Sequence, residues 1–295
     1  MNRLHKNLFI VSFITIMRLS KNTIFTCFLM MLFFTGMAQD ELAYTEIVKA
    51  ENQLQSLFNE LYNYDFEGHK HGVARQIDSL FIHALSIPGS FNHKWKKLDK
   101  IGRLESDDGV LKVFSWLYKV SNNDYRYYAY MQFADRNESK LYVLKPGNAE
   151  NIKEESYPQA FDDWHGKVYY EIITTREKRR TYYTLLGLDM NNAKSSIKTV
   201  EIIALHRGEP QFVDQKILDE GKVKDRLVFE YSSDVNASLR FNEMLDMIVF
   251  DHLTPLHPLY TGNYEFYGPD GSYDGLRFTE GIWVREADVD ARNPK

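Results

Sequence analysis

The segment VLKVFSWLYKV, residues 110–120, decides the fold, because the hydrophobic pattern changes its period there. Upstream, apolar residues recur at every third or fourth position, whereas from here onward they alternate with polar ones. Short runs rich in Val, Ile, Thr, Tyr and Phe, separated by turn residues, continue to the end of the chain. About ten to twelve such runs follow without a helix-length pattern between them, which predicts a mainly antiparallel sheet.

Two helices are predicted before the sheet, on either side of residues 65–72. The spacing of three and four places the apolar residues on one face of each helix. The second stripe ends at residues 86–89, where Pro88 and Gly89 prevent its continuation. The stripes consist of Ile47, Ala50, Leu54, Leu57, Phe58 and Leu61, and of Val73, Ile77, Leu80, Phe81 and Ala84.

Several strands are apolar on both faces, which indicates a layer covered on both sides. In MIVFDHL, residues 247–253, Met247 and Val249 point one way and Ile248 and Phe250 the other. We therefore predict a mainly β (α+β) fold, a curved antiparallel sheet or sandwich with an N-terminal two-helix hairpin as its lid. The predicted segments are a signal peptide (1–38), the helical hairpin region (39–105) and the antiparallel β domain (106–295).

The first 38 residues have the composition of a signal peptide. They contain four basic and no acidic side chains, and the apolar runs 8–17 and 23–37 are shorter than the roughly 20 residues that span a bilayer. Read from Met17, the segment has a basic start, an apolar stretch and a small-residue cleavage site at residues 36–38. We expect export, with a retained membrane anchor or acylation of Cys27 as alternatives.

Charge and cysteine content exclude several classes of protein. The formal net charge is −5, and it becomes −9 without the first 38 residues, so the surface repels nucleic acid. The only cysteine is Cys27, so the mature chain has no disulfide, thiol nucleophile or thiolate metal site.

The stretch YGPDGSYDG, residues 267–275, resembles the first half of a calcium loop. Asp270, Ser272 and Asp274 alternate before Gly275, but the twelfth position is Gly281 and the nearest carboxylate, Glu280, falls one residue short. Pro-Asp-Gly and Asp-Gly also favour tight turns between strands. A turn is the favoured interpretation, and a calcium site at Asp270, Ser272, Asp274 and Glu280 is the alternative.

A second candidate site lies in YRYYAYMQF, residues 125–133. One face of this predicted strand carries Arg126, Tyr128, Tyr130 and Gln132. If this face is exposed, the rings and polar groups form a platform on which sugar rings could stack. Tyrosine is also a common strand residue, which gives the plainer explanation.

No catalytic motif is present. The chain lacks the G-x-S-x-G elbow, the phosphate-binding loop and the HExxH zinc motif. Carboxylates within predicted strands, such as Glu230 and Asp251, are compatible with a glycosidase or with structural pairing. Asp251 and His252 point to opposite faces of a regular strand, so a shared role would need a bulge.

Several segments resemble the recurring segments of a group of exported proteins of Bacteroidetes-type bacteria. They are YYTLLGLDMNN, LVFEYSSDVNASLRF, MIVFDHLTP, YGPDGSYDG and IWVREADVDARN. The group has no assigned activity, cofactor or catalytic residues, so the resemblance implies only a place in a Gram-negative envelope, in the periplasm or at the outer membrane.

These observations lead to two functional expectations. The first is a non-enzymatic envelope protein that binds a protein or a glycan, without a cofactor. The second is a periplasmic hydrolase that acts on glycan through strand or loop carboxylates. Two carboxylates facing each other in an open cleft would favour the hydrolase, whereas carboxylates held in structural pairs would favour the binder.

Overall fold

The computed structural model describes residues 40–64, 66–121, 124–135, 138–147, 155 and 159–291. The predicted signal peptide lies outside these residues. The fold is mainly β with two N-terminal helices and open antiparallel sheets, as predicted. Of the helices in the described ranges, none combines the length and apolar character needed to cross a membrane.

The two helices form the predicted hairpin. Helix α1 covers residues 40–63 and α2 covers Glu67–Ser86. Most of each apolar stripe is buried, with Leu57 and Leu80 only partly so, and Gly89 adopts a φ of 85° just after α2, a conformation that favours glycine. The sequence therefore predicted both helices and their inward faces, but α2 begins at Glu67, inside the connection predicted at residues 65–72.

Fifteen strands lie in the described residues. Their bounds are β1 Gly102–Glu105, β2 Leu111–Ser121, β3 Asp124–Asp135, β4 Glu138–Leu144, β5 Val168–Glu177, β6 Arg180–Asp189, β7 Ser195–His206, β8 Glu209–Phe212, β9 Ile217–Asp219, β10 Lys222–Lys224, β11 Leu227–Ser232, β12 Leu239–Asn242, β13 Met247–Pro255, β14 Tyr267–Thr279 and β15 Ile282–Glu286. β1 begins at residue 102, just before the boundary predicted at 106.

The strands form three sheets. The first sheet has the order β1-β2-β3-β4, and the outer sheet has the order β10-β9-β15-β14-β13-β12. The central sheet has the order β11-β7-β6-β5, with β8 also paired to β7. Every strand pair described within these sheets is antiparallel except β9 with β15.

Helices and sheets stack in four layers. One core lies between the helices and the first sheet, a second between the first and central sheets, and a third between the central and outer sheets. In β3, Tyr130 points to the helices and Met131 to the central sheet, because neighbours in a strand point to opposite faces. β3 thus belongs to a layer covered on both sides, whereas β13, from which such a layer was predicted, lies in the outer sheet, where Met247 and Val249 pack against Val289 and Ala291 of the C-terminal segment.

The first and central sheets approach closely at Gly102. A Cβ atom there would lie 2.6 Å from the backbone oxygen of Tyr169, so only glycine fits. Ser115 Oγ joins the same sheets by accepting a hydrogen bond from Tyr169 N at 2.9 Å.

The turn predicted within YGPDGSYDG is wrong, because this stretch is part of the long strand β14. Pro269 pairs with Leu253 and Tyr273 with Asp251, so three residues of β14 face one residue of β13. Asp270 Oδ1 accepts bonds from Ser272 N and Oγ at 2.9 and 2.7 Å, and Gly271 has a φ of 93°. These local bonds produce a bulge rather than a reversal. The chain reverses earlier, through residues 256–266.

Candidate functional site

A cleft of about 380 Å³ opens beside β11, the edge strand of the central sheet. Its floor is the inner face of the outer sheet, which extends past β11. One wall is β11 itself, and the other is formed by Tyr264 and Tyr267. The cleft therefore exists because two stacked sheets end at different places.

The floor is polar because of where the alternating side chains fall. Along this face Ile217, Leu276 and Trp283 pack against the central sheet. Two residues further along the same strands, and on the same face, come Asp219, Asp274 and Arg285. Their strands continue beyond β11, where the central sheet no longer covers them.

These charged side chains form a continuous chain of ion pairs. Arg285 Nη1 donates to Asp219 Oδ1 at 2.8 Å and Nη2 to Asp274 Oδ2 at 2.5 Å. Lys224 Nζ bridges Asp219 Oδ2 and Glu155 Oε2, both at 2.5 Å. Burial would raise the pKa of Asp219, but the bonds from Arg285 and Lys224 outweigh it and hold the pKa below its usual value. Both aspartates thus stay ionised and fix Arg285 in place.

His252 extends this network to the mouth of the cleft. Its Nδ1 lies 2.9 Å from Asp274 Oδ2, and its side chain is about 40% exposed. The neighbouring Asp251 bonds elsewhere, since its Oδ2 accepts a bond from Ser238 N at 2.6 Å. A register shift between Asp251 and Leu253 lets the neighbours Asp251 and His252 both line the cleft. The bulge that a shared site would need is therefore present.

The opposite wall is aromatic. Residues 258–260 and 264–266 each form a short 3-10 turn, and the second turn packs against β11. The rings of Tyr264 and Tyr267 lie 4.8 Å apart, and Tyr264 is 43% exposed. An exposed ring face thus stands across the cleft from carboxylates and an arginine.

Three carboxylates within strands, Glu201, Glu230 and Asp251, are each held in a structural bond. Glu230 lines the cleft, but Oε1 accepts bonds from Ser195 Oγ at 2.7 Å and Asn191 Nδ2 at 3.2 Å. Glu201 lies in the second core, where it pairs with buried Lys167. The cleft brings Glu230 and Asp251 together and excludes Glu201.

The candidate calcium residues do not all meet. Asp270, Ser272 and Asp274 line a hollow of about 500 Å³ that adjoins the cleft. Glu280 follows the far end of β14, roughly 20 Å from Asp274 at about 3.3 Å per strand residue. Asp274 is also engaged by Arg285, which competes with any cation. In the part of the chain that the structure describes, no group of three or more His, Cys, Asp or Glu side chains could hold a metal ion.

The sugar-binding platform suggested for β3 is wrong, because the helices cover Tyr130 and Gln132 on that face. Tyr130 is buried, its ring stacks on Phe81 at 4.8 Å, and its hydroxyl donates to Asp78. Gln132 is also buried and donates to Leu85 O at 2.8 Å. The other two residues, Arg126 and Tyr128, lie nearer the strand end, where Tyr128 stacks on Trp116 at 4.0 Å. The polar groups that suggested exposure instead bond to helix α2 and the segment that follows it.

Sequence reasoning missed Arg285, Asp219 and the tyrosines of the cleft. One signal was available: IWVRE and ILD each place a charged residue two positions after an apolar one, on the same strand face. A charged residue that follows an apolar residue on the same face of a strand marks the point where the facing sheet no longer covers that strand. Comparison with known protein families, curated proteins and solved structures gave no match for this chain.

Proposed function

We propose that the protein is an exported, non-enzymatic binding protein of the cell envelope whose cleft takes an oligosaccharide. The observation that carries this proposal is the pairing of an exposed Tyr264 ring with carboxylates across one open cleft. Sugars present apolar ring faces to aromatic side chains and hydroxyls to acceptors. Either chemistry alone is common on protein surfaces, whereas the two facing each other suit a glycan.

The charge of the cleft favours neutral or amine-bearing sugars over acidic ones. Eight carboxylates line the cleft and its adjoining hollow, against the cations Lys224 and Arg285 and the titratable His252. A cleft lined by charges of one sign concentrates its field and repels ligands of that sign. The eight are Glu155, Asp219, Glu220, Glu230, Asp251, Asp270, Asp274 and Asp288.

The bonded state of the carboxylates favours binding over hydrolysis. A glycosidase needs one carboxyl group that gives up a proton and a second that attacks or activates water. Glu230 and Asp251 already accept bonds from Ser195 and Ser238. Hydrolysis is the second candidate function, because the same two carboxylates line one cleft. Release of reducing ends that is lost in Glu230→Gln would establish it.

An array of immobilised oligosaccharides tests the proposal. The probes are chitohexaose, cellohexaose and mannohexaose, a glucosamine hexamer and a galacturonate hexamer. We expect binding to at least one neutral or amine-bearing probe and none to the galacturonate. Tyr264→Ala should weaken that binding about tenfold, because the stacking surface is removed.

Tyr64→Ala is the matched control, since Tyr64 is 57% exposed and lies at the connection between α1 and α2. It should leave binding unchanged. The proposal fails if no oligosaccharide binds, or if both variants weaken binding equally. Capture of a protein alone, with no glycan bound, would also overturn it.

A further inference from the structure

A second surface, on the opposite side of the four layers, concentrates positive charge. Lys94, Lys96 and Lys97 line a groove of about 870 Å³ together with Tyr44 of α1. Lys100 is exposed three residues further on. This lysine segment, residues 94–100, contains four lysines and one acid, Asp99, so its formal charge is +3, whereas that of the whole chain is −5.

The backbone of the lysine segment is held from several sides. Trp95 is 1% exposed and donates from Nε1 to Ser90 O at 3.2 Å, while its φ of 46° is unusual for a side chain of that size. Arg103 donates to Trp95 O at 2.6 Å. With the ring of Trp95 buried, the adjacent Lys94 and Lys96 point outward.

Glu51 of α1 also holds the lysine segment in place. It is 4% exposed, and its two oxygens accept bonds from Lys97 N and His93 Nε2, both at 2.9 Å. A buried carboxylate used to fix two successive parts of a surface segment indicates that the position of that segment matters. The lysines are therefore displayed on a rigid support.

Little of this positive charge is neutralised within the fold. Lys94 lies 3.4 Å from Glu105, but both side chains are largely solvated, and such a pair contributes little. Lys97 Nζ bonds the neutral amide of Asn52. Among the described residues, Lys96 and Lys100 have no acidic partner.

We propose that the lysine segment and Tyr44 dock the protein on a membrane surface that contains anionic phospholipid. Clustered lysines bind such surfaces, and tyrosine favours the level of the headgroups. Tyr44 is 61% exposed, and its ring contacts His93 at 6.3 Å. Asp40, at the start of the same groove, follows the apolar run 23–37 by only two residues. If the chain is cleaved after residue 38, the mature protein begins beside this groove.

Co-sedimentation of the protein recovered after export tests this proposal. The vesicles are phosphatidylcholine alone, or phosphatidylcholine with about 30 mol% phosphatidylglycerol. We expect binding to the second kind only, weakening as salt rises from about 50 to about 500 mM. Lys94→Glu/Lys96→Glu/Lys97→Glu should lose at least about 100-fold in affinity, since each lysine contributes about fivefold.

The control is a second basic run, formed by Lys178 and Arg179 in the turn between β5 and β6 and by Arg180 at the start of β6. Replacing all three by Glu changes the net charge equally and should leave vesicle binding within about twofold. The single variants Lys96→Glu and Tyr44→Ala guard against misfolding, and each should weaken binding about fivefold. Equal loss in both triple variants, no binding to anionic vesicles, or binding of inorganic phosphate alone would overturn the proposal.

Discussion

Arg285 and Arg277 lie on paired strands and show how burial changes the contribution of an ion pair. Arg285 is 19% exposed and bridges Asp219 and Asp274, which are nearly buried. Arg277 pairs with Glu286 at a surface where both are about 40% exposed. Arg285→Gln should cost about 3 kcal/mol of unfolding free energy, because two buried carboxylates each lose a charged partner and keep only Lys224 and His252.

Arg277→Gln is the matched control and should cost about 1 kcal/mol or less. Urea denaturation of both variants at neutral pH measures the difference. Similar losses in the two variants would show that the charged floor of the cleft is not a buried network.

His165 predicts a pH dependence of stability. Burial, with further effects from Arg226 and Lys167, lowers its pKa from 6.5 to about 4. The unfolded chain takes up this proton near pH 6.5 and the folded chain only near pH 4. The unfolded state therefore binds more protons between these values, and stability falls as the pH decreases through that window.

His165→Gln should remove this contribution, which amounts to about 2 kcal/mol between pH 7 and pH 5. Urea midpoints of the two proteins at both pH values check it. The wild type should lose more stability than the variant, and an identical loss would contradict the assigned shift.

At the scale of elements, the helical hairpin is held by aromatic packing on the first sheet. Phe81 of α2 is fully buried, and its ring is nearly parallel to that of Tyr130 at 4.8 Å. Phe81→Ala should cost about 3–5 kcal/mol, whereas Gln76→Ala on the exposed face of α2 should stay within about 0.5 kcal/mol. Thermal or urea denaturation measures both. A loss below about 1 kcal/mol for Phe81→Ala would mean that α2 is only loosely docked.

Local pattern predicted the elements where one periodicity dominated. The stripes of α1 and α2 and the alternation in β2 and β3 were sufficient, because each records which side of an element is covered. Pattern failed at residues 267–275, where the Asp270-Gly271 step lies in a bulge of β14 and the Asp274-Gly275 step pairs regularly with β13. Whether such a step turns or bulges depends on the pairing with β13, which the local sequence does not contain.

At the scale of the whole molecule, the sequence predicted covered layers but not their order. The sequence left open whether the face of β3 that carries Tyr130 and Gln132 is exposed. Both residues bond to α2 or the segment after it, since the helical hairpin lies over that face of the first sheet. The cleft likewise depends on how far the outer sheet extends beyond β11, which is a relation between segments distant in the chain.

The central claim is that the cleft between β11 and residues 256–267 is the ligand site. A crystal structure of the protein soaked with chitohexaose, cellohexaose and the glucosamine hexamer in turn tests it directly. We expect one of these oligosaccharides to lie in the cleft, with a sugar ring against Tyr264 and hydroxyls or amines directed at the carboxylates. An oligosaccharide bound only elsewhere, or an empty cleft in all three crystals, would contradict it.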